Sequence, residues 1–279
     1  MINIITDSSC DLQVLQPLPE QCAYIRVPLK ILVGEKEFVD DDALDPQAML
    51  KEVYAYPGKT GSACPSPDDW AAHFRQAEES YALTISGNLS GSYNSAVIAR
   101  QMVLEENPEK KIFVLDSLTA GSEMTLIIRR LRDLVAQGLP FEEICTEIVR
   151  YRDSLGTLFI LNSMDNLVKN GRVNRVVGFT AKILNIKVIG KASDHGTIEM
   201  LHKCRGELRN YETSVAEMLN MGYKGGKVTL SHAANLNGCH MIRDLICRHY
   251  PQAQIDILPL RGLCSYYAEQ SGIILGFEL

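Results

Sequence analysis

Apolar residues along the chain fall into short runs separated by longer stretches of mixed character. Ile2–Ile5, Tyr81–Ile85 and Ile112–Leu115 are compact apolar runs, closed by Thr6-Asp7-Ser8-Ser9, Ser86-Gly87 and Asp116-Ser117. Runs of this length bounded by small polar residues read as strands. Pro67–Glu79, Gly91–Glu105 and Ser122–Ala136 between and after them read as helices. Tyr24–Val33 reads as extended, with Gly34-Glu35-Lys36 turning into Glu37-Phe38-Val39. Strands alternating with helices imply a parallel sheet covered by helices on its faces.

The pattern changes after Phe141–Arg152, which reads as helical. Thr157–Leu161 is a predicted strand, and Ile186–Lys191 with Thr197–His202 a predicted hairpin across Ser193-Asp194-His195-Gly196. There follow a helix (Glu207–Met221), a strand (Lys227–Ser231), a helix (Leu236–Tyr250), a strand (Gln254–Leu258) and an apolar end, Ile273–Phe277. A hairpin beside crossover units makes a mixed sheet. The expectation is an α/β protein of two domains: a parallel-sheet α/β/α domain over 1–153 and a mixed-sheet α/β domain over 154–279. No Pro/Gly-rich linker marks Asp153-Ser154, so the two are expected to pack closely. There is no internal repeat and no low-complexity segment.

At 279 residues with 46% hydrophobic and 22% charged content, the chain has ample material for a core. A formal net charge of -6 argues against broad nucleic-acid binding. No basic n-region precedes an apolar segment at the start, and no apolar run reaches the roughly 18 residues of a membrane span. The expected location is therefore cytoplasmic, without stable membrane insertion. Eight cysteines are scattered without a C-x-x-C pair and read as small buried thiols. No Cys/His cluster has metal-ligand spacing, so no metal is expected.

Ligands of open parallel sheets bind beyond the carboxyl ends of the strands. The loops there are rich in hydroxyls: Thr6–Ser9, Ser86–Ser92 and Asp116–Ser122, with Thr60–Pro67 as a fourth. Lys and Arg are absent from 62–67, 86–95 and 116–123, which excludes a P-loop-like phosphate site. Hydroxyls and backbone N–H groups suffice for a single carboxyl group. The competing reading is that these residues only cap helices. Other signals are weaker. Gly87-Asn88-Leu89-Ser90-Gly91 is not the G-x-S-x-G elbow of a hydrolase. Asp40-Asp41-Asp42 reads as a solvated turn, and His202 and His232 as hydrogen-bonded structural residues. A basic strip, Lys169, Arg172, Arg175, Lys182, Lys187 and Lys191, followed by Lys203, Arg205 and Arg209, is either a partner surface or an ordinary solvated face. Arg172 follows the turn signal Asn170-Gly171 and is expected to be exposed.

Taken together, several motifs resemble the DegV family. They are Ile5-Thr6-Asp7-Ser8-Ser9-Cys10-Asp11-Leu12, Val27-Pro28-Leu29, Cys64-Pro65-Ser66-Pro67, Leu89-Ser90-Gly91-Ser92-Tyr93-Asn94-Ser95-Ala96, Val114-Leu115-Asp116-Ser117, Asn170-Gly171-Arg172 and Lys203-Cys204-Arg205. They occur in the family's order and span essentially the whole chain. The resemblance implies a long-chain fatty acid, such as palmitate, held between two α/β domains. It also implies that the acid is presented to a fatty acid kinase for phospholipid synthesis. The family's carboxylate-binding Thr falls on Ser62 and its second carboxylate contact on Ser90. Its kinase-docking basic residues fall on Arg172 and Arg205. Asn94, Ser117, Tyr266 and Tyr267 are candidate further pocket contacts.

Two positions depart from the family pattern. Thr-Ser-Gln-Pro is here Ser62-Ala63-Cys64-Pro65, and a His expected before the last strand is missing from Ala268-Glu269-Gln270-Ser271-Gly272. Tyr266 or Tyr267 is the candidate substitute for that His. Three functions therefore stay open. The first is a non-catalytic fatty-acid carrier without cofactor. The second is a serine acyl hydrolase or transferase using Ser90. The third is a binder of another amphiphile, or a protein that meets its partner without lipid.

Overall fold

The computed structural model describes residues 1–173 and 186–279. The first half builds a four-stranded parallel sheet in the order β2-β1-β6-β7, from β1 (Ile2–Asp7), β2 (Cys22–Val27), β6 (Glu79–Thr84) and β7 (Lys111–Asp116). Each crossover that was expected to be helical is so: α2 (Pro67–Gln76), α3 (Ser92–Glu106) and α4 (Ser122–Ala136), followed by α5 (Phe141–Arg152). Residues along β1 alternate between two apolar cores. Ile4 joins Met124, Ile127 and Leu131 of α4, whereas Ile5 joins Trp70, Phe74 and Ala99 of α2 and α3. A strand buried on both faces is what a parallel sheet with helices on each side requires.

The extended reading of Tyr24–Val33 needs correction. The strand breaks at Pro28, and Lys30–Val33 (β3) leaves the main sheet to pair antiparallel with β4 (Lys36–Val39) and β5 (Thr60–Ala63). Thr60–Ala63 is therefore strand and not loop. Helix α1 (Pro46–Ala55), capped by Asp45 accepting from Gln47 N and Ala48 N, covers this small sheet through Met49, Leu50 and Val53.

The second half forms a mixed six-stranded sheet, β10-β9-β8-β13-β11-β12. Its strands are β8 (Leu155–Leu161), β9 (Ile186–Ala192), β10 (Ile198–Arg205), β11 (Lys227–His232), β12 (Gln254–Pro259) and β13 (Ile273–Glu278). Helices α7 (Glu207–Asn220) and α8 (Leu236–His249) cover one face, burying Leu158, Ile160, Leu275 and Phe277. The other face carries Phe159, Leu161 and Ile274 and turns toward the first half. Two short helices, α6 (Asp165–Lys169) and α9 (Gly262–Ala268), lie on that side.

The halves interlock through α4, which packs on β1 and also on β8, β11 and β13. Ser122 Oγ, at its first residue, donates to Ile274 O at 2.7 Å and bonds Ser231 Oγ at 2.9 Å. Gly276 leaves room for this contact, since a Cβ there would lie 2.4 Å from Glu123 N. Helix α9 returns to the first half, packing on α1 and β3. Asp40 contradicts the solvated-turn reading: it is 1% exposed. Its Oδ1 accepts from Gly262 N at 2.9 Å and its Oδ2 from Leu263 N at 2.8 Å. A buried helix start needs such acceptors, because its first N–H groups have no partner within the helix. Five cysteines are buried as expected, but Cys22 and Cys247 are only partly so and Cys64 is exposed. Among the described residues no helix is long and apolar enough to cross a membrane.

Candidate functional site

A cavity opens where the apolar face of the second sheet meets the carboxyl-end loops of the first. Its walls are mostly carbon. Leu29, Ile85, Leu89 and Ala120 come from the first half, and Phe159, Leu161 and Ile274 face them from the second sheet. Strand periodicity explains the supply: in β8 and β13 one set of alternate residues fills the core under α7 and α8, and the other set lines the cavity. Helix α9 adds Leu263, Cys264, Tyr267 and Ala268.

The polar side chains on this wall are Ser62, Ser90, Tyr267 and Arg172. Ser62 Oγ and Tyr267 OH are 2.8 Å apart. A Cβ on Gly91, next to Ser90, would lie 3.1 Å from Cys64 Sγ, so the end of β5 rests against the Ser90 turn. Arg172 Nε donates to Leu89 O at 3.0 Å, tying the segment after α6 to the same turn. One end of an apolar slot thus carries hydroxyls and one guanidinium.

Buried carboxylates hold these pieces in place. Asp7, fully buried, accepts from Ile85 N at 2.9 Å and Ser92 Oγ at 2.6 Å, and so fixes both ends of the loop containing Leu89 and Ser90. Burial raises its pKa above the usual carboxylate range, against the pull of those bonds. Asp11 Oδ1 accepts from Arg261 N at 3.0 Å, just ahead of α9. Burial pushes Asp11 up to about 7, although its bond to Arg261 N lowers it. Asp40 is raised for the same reason.

The candidate residues separate clearly. Ser62, Ser90 and Tyr267 line the cavity. Tyr266 does not: its ring is buried under α1, and its OH bonds Thr60 Oγ1 at 2.8 Å and accepts from Asn170 Nδ2 at 2.9 Å. Asn94 is exposed on α3 and off the cavity wall. Ser117 is buried in a second, polar crevice with Leu118, Glu123, Arg152 and Thr157. The capping reading is right for Ser66, which forms a capping box with Asp69. Ser90 Oγ also accepts from Ser92 N, at 3.3 Å.

Arg172 is not the exposed side chain that its turn signal suggests. The turn is present, with Gly171 at φ +71°, but the side chain folds back, half-buried, onto the cavity wall. Arg205, in contrast, is exposed at the end of β10. In the basic strip Lys187 pairs with Glu207 at 3.1 Å and Lys191 with Glu199 at 3.5 Å. Arg175 and Lys182 lie outside the described residues. His202 Nε2 meets Glu217 Oε2 at 3.0 Å and His232 Nδ1 accepts from Asn235 N at 3.1 Å, both structural contacts. Among the described residues no group of three or more His, Cys, Asp or Glu could hold a metal.

A family model described as "Uncharacterised protein, DegV family" matches residues 1–275. The chain belongs to the DegV family. A DegV domain-containing protein of Streptococcus pneumoniae is 42% identical over 276 residues, covering 99% of this chain and 98% of that one. Among solved structures, the Streptococcus pneumoniae Fatty Acid Kinase (Fak) B3 protein loaded with linoleic acid superposes with a TM-score of 0.96, at 42% identity and 99% coverage of both chains. A DegV protein from Eubacterium eligens loaded with heptadecanoic acid gives 0.93 at 38% identity, covering 100% of this chain and 99% of that one. The α/β architecture, with its parallel first sheet and mixed second sheet, is thus the one these DegV structures share.

Proposed function

We propose that this DegV chain binds one long-chain fatty acid in the crevice between units 1–153 and 154–279 and acts as its carrier. The observation that carries the reading is an apolar slot ending in Ser62, Ser90 and Tyr267, on the wall that Phe159, Leu161 and Ile274 complete. Relatives with linoleic and heptadecanoic acid bound support it. Burying about 14 methylenes at about 0.8 kcal/mol each supplies at most roughly 11 kcal/mol before ordering costs. The tail therefore dominates affinity, and the head group needs its hydrogen bonds satisfied. Tyr267 OH, in contact with Ser62 Oγ, takes the place of the family His that the chain lacks.

Presentation of the bound acid to a kinase is the finer part of the proposal, with exposed Arg205 as the docking residue. The hydrolase alternative needs a base beside Ser90. Among the described residues the bond formed by Ser90 Oγ is with Ser92 N, a backbone group. Isothermal titration with palmitate tests the head-group assignment. Ser62→Ala and Ser90→Ala should each weaken binding about five- to hundred-fold, from roughly 1–3 kcal/mol per lost bond. Unchanged affinity in the double variant reduces both residues to structural roles.

A further inference from the structure

The polar crevice that holds Ser117 lies where the two halves join, and it shares no lining residue with the lipid cavity. The first half gives it Leu118, Glu123 and Arg152, and the second gives Thr157 and Lys191. Glu123 is 5% exposed, its Oε2 accepts from Thr157 Oγ1, and among the described residues its Oε1 takes no hydrogen bond. Burial pushes this carboxyl up to about 7. An acid in the first turn of α4 suits the positive end of that helix, but an exposed one would do so without the cost of desolvation. A free carboxyl oxygen facing a polar crevice is a place for a cation. The crevice offers positive charge as well. Arg152 holds Asp153 Oδ1 through Nε at 2.8 Å and Nη2 at 2.6 Å, and donates to Asp116 O through Nη1 at 3.0 Å. A guanidinium has five N–H groups, so one on each Nη remains unused. Lys191 Nζ rests 3.5 Å from Glu199 Oε2, and an ammonium has further donors to give. Apolar surface beside these charges comes from Leu155 and Met221.

We propose that this crevice is a second ligand site, for a small zwitterion of the α-amino acid class with an apolar side chain. Its ammonium pairs with Glu123 Oε1, its carboxylate with Arg152 and Lys191, and its side chain packs on Leu155 and Met221. Both charges of the ligand are needed. An amine alone leaves the two cations unmatched, and a carboxylate alone meets Glu123 as a like charge. Charge-assisted hydrogen bonds at both ends fix the orientation. The ligand bridges the halves, because Glu123 and Arg152 belong to the first and Leu155, Lys191 and Met221 to the second. The site stands apart from the fatty-acid reading and does not depend on it.

The probe is L-leucine, compared with isopentylamine, which lacks its carboxylate, and isocaproate, which lacks its ammonium. Dissociation constants are measured on the full chain at pH 8, with and without palmitate, for the wild-type protein, Glu123→Gln and Lys191→Gln. Glu123→Gln keeps the side-chain shape and an acceptor for Thr157, and Lys191→Gln changes a partly exposed position, so the fold is retained. Leucine should bind at least tenfold more tightly than either truncated probe, and equally well when palmitate is present. Glu123→Gln should weaken leucine at least tenfold and should not weaken isocaproate. Lys191→Gln should weaken leucine and isocaproate and leave isopentylamine within threefold. Absence of saturable leucine binding, equal affinity for leucine and both truncated probes, or leucine binding unaltered in both variants overturns the proposal. Displacement of leucine by palmitate places it in the lipid cavity and overturns the proposal as well.

Discussion

Replacing Gly196 with Ala tests how the two halves are closed over the cavity. Gly196 lies at the tip of the β9–β10 hairpin with φ +71°, and a Cβ there would fall 2.2 Å from Ser86 Oγ and 2.9 Å from Leu118 Cα. Both neighbours belong to loops of the first half, and Leu118 presents backbone that cannot rotate away. The left-handed conformation alone costs an L-residue about 1–2 kcal/mol. Relieving the clash requires the tip to withdraw. Withdrawal stretches the bond from Ser86 Oγ to Gly196 O, now 2.7 Å, and that from Asn88 Nδ2 to His195 O, now 2.6 Å. Each such bond is worth about 1 kcal/mol net, so the total loss is about 3–4 kcal/mol. Urea unfolding of the ligand-free variant measures it. Because Leu89 and Ser90 ride on the Ser86–Gly91 loop, the dissociation rate of bound palmitate should also rise, read by stopped-flow transfer to albumin. A stability loss below about 1 kcal/mol with an unchanged off-rate would show that the hairpin tip is not seated between these loops.

Three further outcomes follow from particular contacts. Glu123 is buried, bonded by Thr157 Oγ1, and pushed from 4.5 up to about 7 by burial. The folded chain then keeps a proton that the unfolded chain has lost between those values. Its contribution is full below pH 4.5 and disappears as pH rises through 7, a span of about 3 kcal/mol. Glu123→Gln should flatten that part of the stability–pH curve, leaving the slope from Asp11, and an unaltered curve would refute the assignment. Gly276→Ala would place a Cβ 2.4 and 2.5 Å from backbone atoms of Glu123; overpacking at the joint between α4 and β13 should cost about 3 kcal/mol in a thermal or urea melt. Arg205→Ala, on an exposed position, should leave palmitate affinity unchanged and weaken capture of the protein by a fatty acid kinase; lost lipid affinity would contradict its placement.

The regular elements were legible because their apolar residues repeat at the period of the element they form. Ser122–Ala136 is a helix over the residues its pattern predicts, and Ile273–Phe277 becomes the central strand β13. Where a segment lacks a period, the sequence is silent. Gly262–Ala268 is a helix buried on nearly every side, so its run Leu263-Cys264-Ser265-Tyr266-Tyr267 shows no stripe. After Thr60 the segment Gly61-Ser62-Ala63 consists of small residues with weak strand preference, and it extends by pairing with β3. Helix α1 was readable in principle from the Asp45 cap, Pro46 and the Met49, Leu50, Val53 stripe. Asp40 misleads because its neighbours Asp41 and Asp42 are exposed, while it turns inward to the start of α9. At the site, Ser62 and Ser90 came from motif resemblance. The apolar wall of Phe159, Leu161 and Ile274 carried a signal that went unused: β8 and β13 are apolar on both faces, so each face needs something to cover it. Arg172 shows the limit of turn signals, which locate a bend in the backbone and leave the direction of a long side chain undecided.

The central claim is that the crevice holds a fatty acid, and the most direct test is to weigh what the protein carries. Protein purified without added lipid is denatured, extracted into organic solvent and analysed by mass spectrometry against protein concentration. The expected result is a saturated or monounsaturated long-chain fatty acid near one equivalent per chain, absent from extracts of a variant in which Phe159 and Ile274 are replaced by Asp. Recovery of no fatty acid, together with no binding of added palmitate by the folded protein, would contradict it.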